Sequence, residues 1–324
     1  MINKKSKIFI AGHKGMVGSA ILRNLKSKGY KNLYFIEKKR LDLRDQKKVF
    51  EYLKKIRPDG VIIAAATVGG INANNTFKAD FIYNNLQIQN NLIHGSFLSD
   101  VKNLIFLGSS CVYPKNSKQP IKEDYLLSNY LEKTNEPYAI AKIAGIKMCS
   151  SYNYQYNLNY KCLMPCNSYG INDNYDLKTS HFLPALIKKI IEAIQKKKNH
   201  IKVWGSGRPL RELIFCEDIA DASIFFLKKK TEHNLINIGT GKDKTINQYA
   251  KFIMKHLGVN LKIVNEKKKL EGTYKKLLDV SLARKYGWAH KTSLEKGIAI
   301  TINDYLENNI LNKSKKHANK VNIK

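Results

Sequence analysis

Residues 7–29, KIFIAGHKGMVGSAILRNLKSKG, decide the fold. Lys7 to Ala11 (KIFIA) reads as a short buried strand, apolar after its first residue and without polar alternation. Gly12-His13-Lys14-Gly15-Met16-Val17-Gly18 follows as GxxGxxG. A helical pattern then runs from Met16 to Lys28 and stops at Gly29. Strand, glycine turn and helix in this order bring backbone N–H groups up to a pyrophosphate at the positive end of the helix, and the last glycine permits close helix-sheet packing. Glycines at tight turns are often only structural, but a place in the first βα unit selects the dinucleotide reading.

The alternation continues outward from this unit. Leu33 to Ile36 reads as a strand, Gln46 to Ile56 as a helix stopped by Arg57-Pro58, and Gly60 to Ala66 (GVIIAAA) as a third strand. A helix from about Ala79 to Leu98, a strand at Asn103 to Leu107, a helix from Tyr138 to Tyr154 and a strand at Cys162 to Pro165 follow. The expected class is α/β, a Rossmann-type doubly wound parallel sheet. After about Gly170 the chain changes to a loop rich in Asn and Asp, a Lys-studded helix from Phe182 to Lys198 and a strand pair around Trp204 and Arg211. Helix Asp218 to Leu227 and strand Leu235 to Ile238 return to the first domain. We therefore expect residues 1–172 and 214–240 to form the dinucleotide domain and 173–213 and 241–312 a smaller α/β substrate lobe. Residues 313–324, without apolar periodicity, are expected to fray.

Composition sets bounds on function. The chain has 324 residues, 43% hydrophobic and 10% aromatic, which excludes wholesale disorder. Lys and Arg number 57 against 26 Asp and Glu, a net charge of +31. Such a field attracts polyanions. The lysines are nevertheless spread along the chain with no aromatic-basic platform among them, so a Lys-loaded solvated surface is preferred to nucleic-acid binding. Anionic small molecules such as nucleotides are also favoured by the field. The longest apolar stretch, Val61 to Ile71, is interrupted by Thr67 and two glycines and falls short of the roughly 20 residues of a membrane span. The basic start is followed by too short an apolar run for a signal peptide. Five cysteines, Cys111, Cys149, Cys162, Cys166 and Cys216, show no CxxC spacing, so neither a disulfide framework nor a metal site is expected, and the compartment should be the reduced cytoplasm.

Three motifs carry chemistry. Glu37-Lys38-Lys39-Arg40 ends the second strand, where dinucleotides are sorted by their ribose; Lys38 to Arg40 favour the 2′-phosphate of NADP, and Glu37 dissents. Tyr138-Ala-Ile-Ala-Lys142 is YxxxK, which puts a phenol and an ammonium on one helix face. A phenol titrates near about 10, so using it near neutrality calls for a neighbouring cation. Gly108-Ser109-Ser110-Cys111-Val112-Tyr113 follows the strand Asn103 to Leu107, at the sheet edge where ligands bind.

GxxGxxG, SSxxxY and YxxxK together resemble the extended short-chain dehydrogenase/reductase superfamily. FIAGHKGMVGSAI, AAATVGGINANNT at 64–76, LGSSCVYPK at 107–115, NEPYAIAKIAGIK at 135–147, SH at 180–181, VWGSGRPLRE at 203–212 and KLLDV at 276–280 are similar to its GDP-L-fucose-forming epimerase-reductase family, over about residues 7–306. The resemblance implies a metal-free reaction in which NADPH reduces the C4 ketone of a GDP-4-keto-6-deoxy sugar after inversion at C3 and C5. It implies Cys111 as base, His181 as acid, Ser109 and Tyr138 as hydrogen-bond partners of O4, Tyr138 as its proton donor, and Lys142 as the residue that lowers the phenol pKa and holds the nicotinamide ribose.

Cofactor contacts are implied at Gly12, His13, Lys14, Gly15, Met16, Val17 and Gly18, at Lys38 and Arg40, at Leu107, Gly108, Ser109 and Ser110, and at Lys142, Pro165, Asn167 and His181. Substrate contacts are implied at Lys189, Trp204, Arg211 and Glu271. Lys189 and Glu271 depart from the Arg and Asp of the family pattern. Arg211 suits a bidentate grip on pyrophosphate. Family members are homodimers through a helical bundle. Two other readings stand beside this one: a related nucleotide-sugar epimerase or dehydratase with tightly held NAD, and a non-catalytic polyanion-binding Rossmann protein.

Overall fold

The computed structural model describes residues 2–267 and 271–311; the expected frayed tail, 313–324, lies outside the described residues. Strand β1 (Ile8–Ala11) is buried throughout, and α1 (Met16–Ser27) follows directly after the glycine turn. Next come β2 (Leu33–Tyr34), α2 (Gln46–Ile56), β3 (Gly60–Ile63), α3 (Ile71–Thr76), α4 (Lys78–Leu98), β4 (Asn103–Leu107), α5 (Glu136–Tyr156) and β5 (Asn159–Pro165). The chain continues with β6 (Asn167–Tyr169), α6 (Phe182–Gln195), β7 (His200–Trp204), β8 (Leu210–Phe215), α7 (Cys216–Lys228) and β9 (Leu235–Ile238). It ends with β10 (Asp243–Thr245), α8 (Ile246–His256), β11 (Lys262–Glu266), β12 (Lys275–Lys276), α9 (Ser281–Lys285) and α10 (Leu294–Tyr305).

Six strands form one parallel sheet in the order β2-β1-β3-β4-β5-β9. Helices α1 and α7 pack together on one face, and α2, α4 and α5 on the other. Ion pairs Arg23–Glu217 and Lys28–Asp221, 2.7 and 2.6 Å, cross between α1 and α7. The chain reverses direction across the sheet between β1 and β3, which opens a crevice at their carboxyl ends. Gly12 sits in it with φ +88°, and a Cβ there would meet Ala65 N at 2.6 Å. At Gly18 a Cβ would meet Gly12 O at 2.0 Å, so the first turn of α1 rests on the glycine loop itself.

The smaller sheet is built around β8, which pairs with β10 and β12 and, at its far end, with β6. The expected strand pair around Trp204 and Arg211 is corrected here. Strands β7 and β8 both exist, but β7 pairs in parallel with β11. Two left-handed glycines, Gly205 and Gly207, turn the chain away between them. Strand β7 alternates between buried and exposed residues and needs only one partner, whereas β8 ends in a run of buried residues and is enclosed by neighbours.

Glu212 of β8 is fully buried and binds the two sheets together. Its carboxylate accepts from Thr240 N (2.6 Å) and Gly241 N (2.7 Å), just after β9, and from Leu278 N (2.8 Å), just after β12. Burial raises its pKa, and the backbone donors oppose that rise. Glu212→Leu would strand these donors, so urea denaturation should show a loss of about 3 kcal/mol or more, with Glu212→Gln, which keeps one acceptor, losing less.

Candidate active site

Helix α5 opens with Glu136-Pro137, proline in the first turn where no N–H is needed, and this sets Tyr138 and Lys142 one turn apart facing the end of β4. Lys142 is buried; its Nζ donates to Leu107 O at 2.8 Å and lies 4.6 Å from the Phe106 ring centroid and 5.9 Å from that of Tyr138. Burial lowers the Lys142 pKa to about 8. Burial drives the Tyr138 phenol well above its ordinary range, Cys111 adds to the rise, and a hydrogen bond with Ser109 opposes it. Burial therefore favours the neutral, protonated phenol. Desolvation dominates both groups, and the Lys142 Nζ is turned to the β4 carbonyl of Leu107.

Cys111 lies in a single 3-10 turn, Ser110–Val112, capped by Ser109, whose Oγ accepts from Cys111 N at 3.3 Å. Its side chain packs with Ala73, Phe81 and Tyr138 and is half-buried, whereas the other four cysteines are buried. Burial pushes the thiols of Cys149, Cys166 and Cys216 up, the last to about 12. The Nζ of Lys276, in β12, stands 3.5 Å from Cys111 Sγ.

His181 occupies the N-cap position of α6 without a side-chain cap hydrogen bond and is exposed. Its pKa is lowered by burial first and by the Lys276 charge second. Arg211 pairs with Lys276 in the β8–β12 register, and its Nη1 donates to Leu210 O (2.8 Å) and Tyr274 O (3.4 Å). Burial lowers its pKa, and the charges of Cys111 and Glu271 oppose that. Contacts thus link Cys111 to Ser109, Tyr138 and Lys276, and Lys276 in turn stands opposite Arg211 in the strand register and bears by its charge on His181.

The glycine turn borders the same edge. At Gly15 a Cβ would meet only Gly12 O, at 3.5 Å, and α1 carries no side-chain cap, so its first-turn N–H groups are left to a ligand. Lys14 pairs with Glu37 at 2.7 Å, which lowers the Glu37 pKa, while Lys38 and Arg40 project into solvent. His13 lies against Phe35, ring centroids 4.7 Å apart. Gly108 and Ser110 follow β4, and Pro165 and Asn167 stand at the β5–β6 junction.

The remaining sequence-selected residues form a second cluster at the β7–β8 turn. Glu271 Oε1 accepts from Ser206 N (2.6 Å) and Oγ (2.8 Å), and Lys189 Nζ donates to Lys202 O (2.9 Å) and lies 5.8 Å from the half-exposed Trp204 ring. Among the described residues, no group of three or more His, Cys, Asp or Glu could hold a metal ion.

Residues 8–239 match the family described as "NAD dependent epimerase/dehydratase family". The chain belongs to that family. The family member GDP-L-fucose synthase of Escherichia coli (strain K12) is 47% identical over 313 residues, covering 94% of this chain and 98% of that protein. A solved structure described as a GDP-L-fucose synthetase from Naegleria fowleri bound to NADP is 27% identical, covers 95% of this chain and 96% of the other, and superposes with a TM-score of 0.86. A third, a GDP-mannoheptose C4 reductase from Campylobacter jejuni with NADP bound, is 37% identical with a TM-score of 0.84 and covers 94% and 99%. This epimerase/dehydratase-family chain is accordingly an enzyme of the oxidoreductase and epimerase type.

Sequence reading missed Lys276 and Glu212. Lys276 is the first residue of KLLDV, and among 57 basic residues nothing in the sequence singles it out. Ser206 was equally silent, because its role depends on Glu271, 65 residues away in the chain.

The lowered pKa of Lys142 has a thermodynamic consequence. Between about 8 and 10.5 the unfolded chain holds the Lys142 proton and the folded one does not, so stability rises with pH across that window. Lys161, also buried and lowered to about 8, adds to the rise. Lys142→Met should stabilise the ligand-free protein by about 1–3 kcal/mol at pH 7 and remove part of the pH dependence, as read by urea denaturation at pH 7 and 9.

Proposed function

We propose that this enzyme converts GDP-4-keto-6-deoxy-D-mannose to GDP-L-fucose with NADP(H) as cofactor. The observation that supports the reading is the packing of a half-buried cysteine against a buried phenol that has a serine partner, with Lys276 beside the cysteine and bearing by its charge on a histidine. Similarity to relatives named GDP-L-fucose synthase supports it. The cofactor fits the residues present: the space at Gly15 and the uncapped start of α1 suit a pyrophosphate, and Glu37, already paired with Lys14, leaves Lys38 and Arg40 to a 2′-phosphate. When bound, the cofactor supplies the hydride that reaches C4.

In this reading the enzyme's own groups move the protons. Cys111 Sγ takes the proton from C3 and later from C5, since each carbon is made acidic by the adjacent C4 ketone. The C–H electron pair passes into the enolate, whose oxygen accepts hydrogen bonds from Ser109 and Tyr138. His181 returns a proton from the opposite face. Tyr138 then protonates O4 during reduction, and Lys142, buried behind it, is placed for the cofactor ribose. Arg211, Lys189, Trp204 and Glu271 are assigned to the GDP end of the substrate, with residues 173–213 and 241–312 as the substrate lobe. A GDP-heptose C4 reductase is the second reading, supported by the Campylobacter jejuni relative. A simple reductase needs neither Cys111 nor His181 for proton transfer at carbon, and both are present.

Incubation with the 4-keto-6-deoxy sugar in D2O, followed by NMR and by NADPH absorbance, tests the assignment. Tyr138→Phe should lose most NADPH oxidation and still exchange the C3 and C5 hydrogens. Cys111→Ser should lose exchange by about 10² to 10⁴, the usual worth of a positioned acid or base. Exchange at the parent rate in Cys111→Ser would leave Cys111 a packing residue.

We also propose a cytoplasmic homodimer. Among the described residues no helix is long and apolar enough to cross a membrane. Helices α4 and α5 lie side by side and expose Tyr83 and Ile140, apolar surface suited to a helical bundle with a second copy. Light scattering should give twice the chain mass, and Tyr83→Asp with Ile140→Asp should shift it toward the monomer.

A further inference from the structure

Lys276 lies outside the three motifs read as chemical, yet its Nζ stands 3.5 Å from Cys111 Sγ. Its position is built in several ways. Strand β12 pairs with β8, Lys276 opposite Arg211; Leu278 bridges to Ile121; and the Leu278 N–H is held by the buried carboxylate of Glu212. The groups that face Cys111 come from three other elements: Ser109 after β4, Tyr138 of α5 and Arg211 of β8. With Lys276 of β12 added, the charged groups among them are all cations. Lys276 is also the charge that bears on His181 from across the same space.

We propose that Lys276 is a third residue of the epimerisation site, holding the Cys111 sulfur as the thiolate that takes the carbon protons. This rests on Cys111 being the base. In each inversion the thiolate takes H⁺ from carbon, the C–H pair enters the enolate, and the imidazolium gives H⁺ to the opposite face, leaving a thiol and a neutral imidazole. Before the second carbon can react, the thiol must release its proton and the imidazole must regain one. No electrons are exchanged with any other group. An ammonium touching sulfur favours that release and does not itself change charge in the cycle. Its charge at the same time discourages a lasting imidazolium at His181, so the acid gives up its proton readily.

Because the other four cysteines are buried, iodoacetamide acting on the folded protein reports on Cys111. At pH 7, Lys276→Met should slow this alkylation by about fivefold or more, with a matching loss of thiolate absorbance near about 240 nm, and Lys276→Arg should recover most of both. Deuterium exchange at C3 and C5 should fall about tenfold or more in Lys276→Met and recover in Lys276→Arg. NADPH fluorescence on binding identifies the folded variants, and if Lys276→Met does not fold, the Lys276→Gln protein takes its place.

Alkylation at the parent rate in the charge-free variant overturns the proposal, and so does a charge-retaining Lys276→Arg that alkylates as slowly as Lys276→Met. The two assignments separate cleanly. Parent-rate exchange in Cys111→Ser removes the base itself, whereas exchange lost in Cys111→Ser but kept in Lys276→Met removes only the role of Lys276.

Discussion

The carboxylate of Glu212 is the constraint on which the site depends. One oxygen takes the N–H groups of Thr240 and Gly241 at the end of the large sheet, and the other takes that of Leu278 beside β12. A buried carboxylate is costly unless its acceptor sites are filled, and here backbone donors fill them. The consequence reaches the chemistry. β8 brings Arg211, β12 brings Lys276, and the end of β9 closes beside them, so one buried group fixes cations from the small sheet against Cys111, which belongs to the large one.

Desolvation shapes the rest of the site. Tyr138 and Lys142 are both buried, and burial favours the neutral form of each, raising the phenol and lowering the amine. A neutral phenol suits the donation of a proton to a developing alkoxide. Lys142 is held against Leu107 O, where a dinucleotide ribose would add acceptors and favour its charged form. The folded protein keeps a lysine whose charge burial disfavours, a cost in stability accepted for function. Cys111 contrasts with the four buried thiols: it reaches the open space and meets an ammonium.

Much of this could be read along the chain. GxxGxxG between an unalternating strand and a helix has one stable arrangement, because only glycine tolerates the φ of +88° at residue 12 and the contact of Gly18 with Gly12 O. The spacing of Tyr138 and Lys142 is a local helical property, and GSSC at the end of a parallel strand is placed by the sheet edge. The error at Trp204 and Arg211 has an equally local cause. Two strands separated by a glycine turn look like a hairpin, and nothing within residues 200–215 shows that β7 has a better partner in residues 262–266.

The amino-acid sequence by itself determined the parallel sheet, the glycine turn and the pairing of Tyr138 with Lys142 on one helix face, since each rests on periodicity or on local spacing, whereas Ser109 and Cys111 were picked out by family resemblance. Only the tertiary structure decided what those groups face. Lys276 reaches Cys111 across 165 positions of chain, Glu271 reaches Ser206 across 65, and Glu212 reaches Leu278 across 66. Strand pairing and burial make such contacts, and no local pattern encodes them: one lysine among so many becomes the partner of a thiol only because β12 is hydrogen-bonded beside β8.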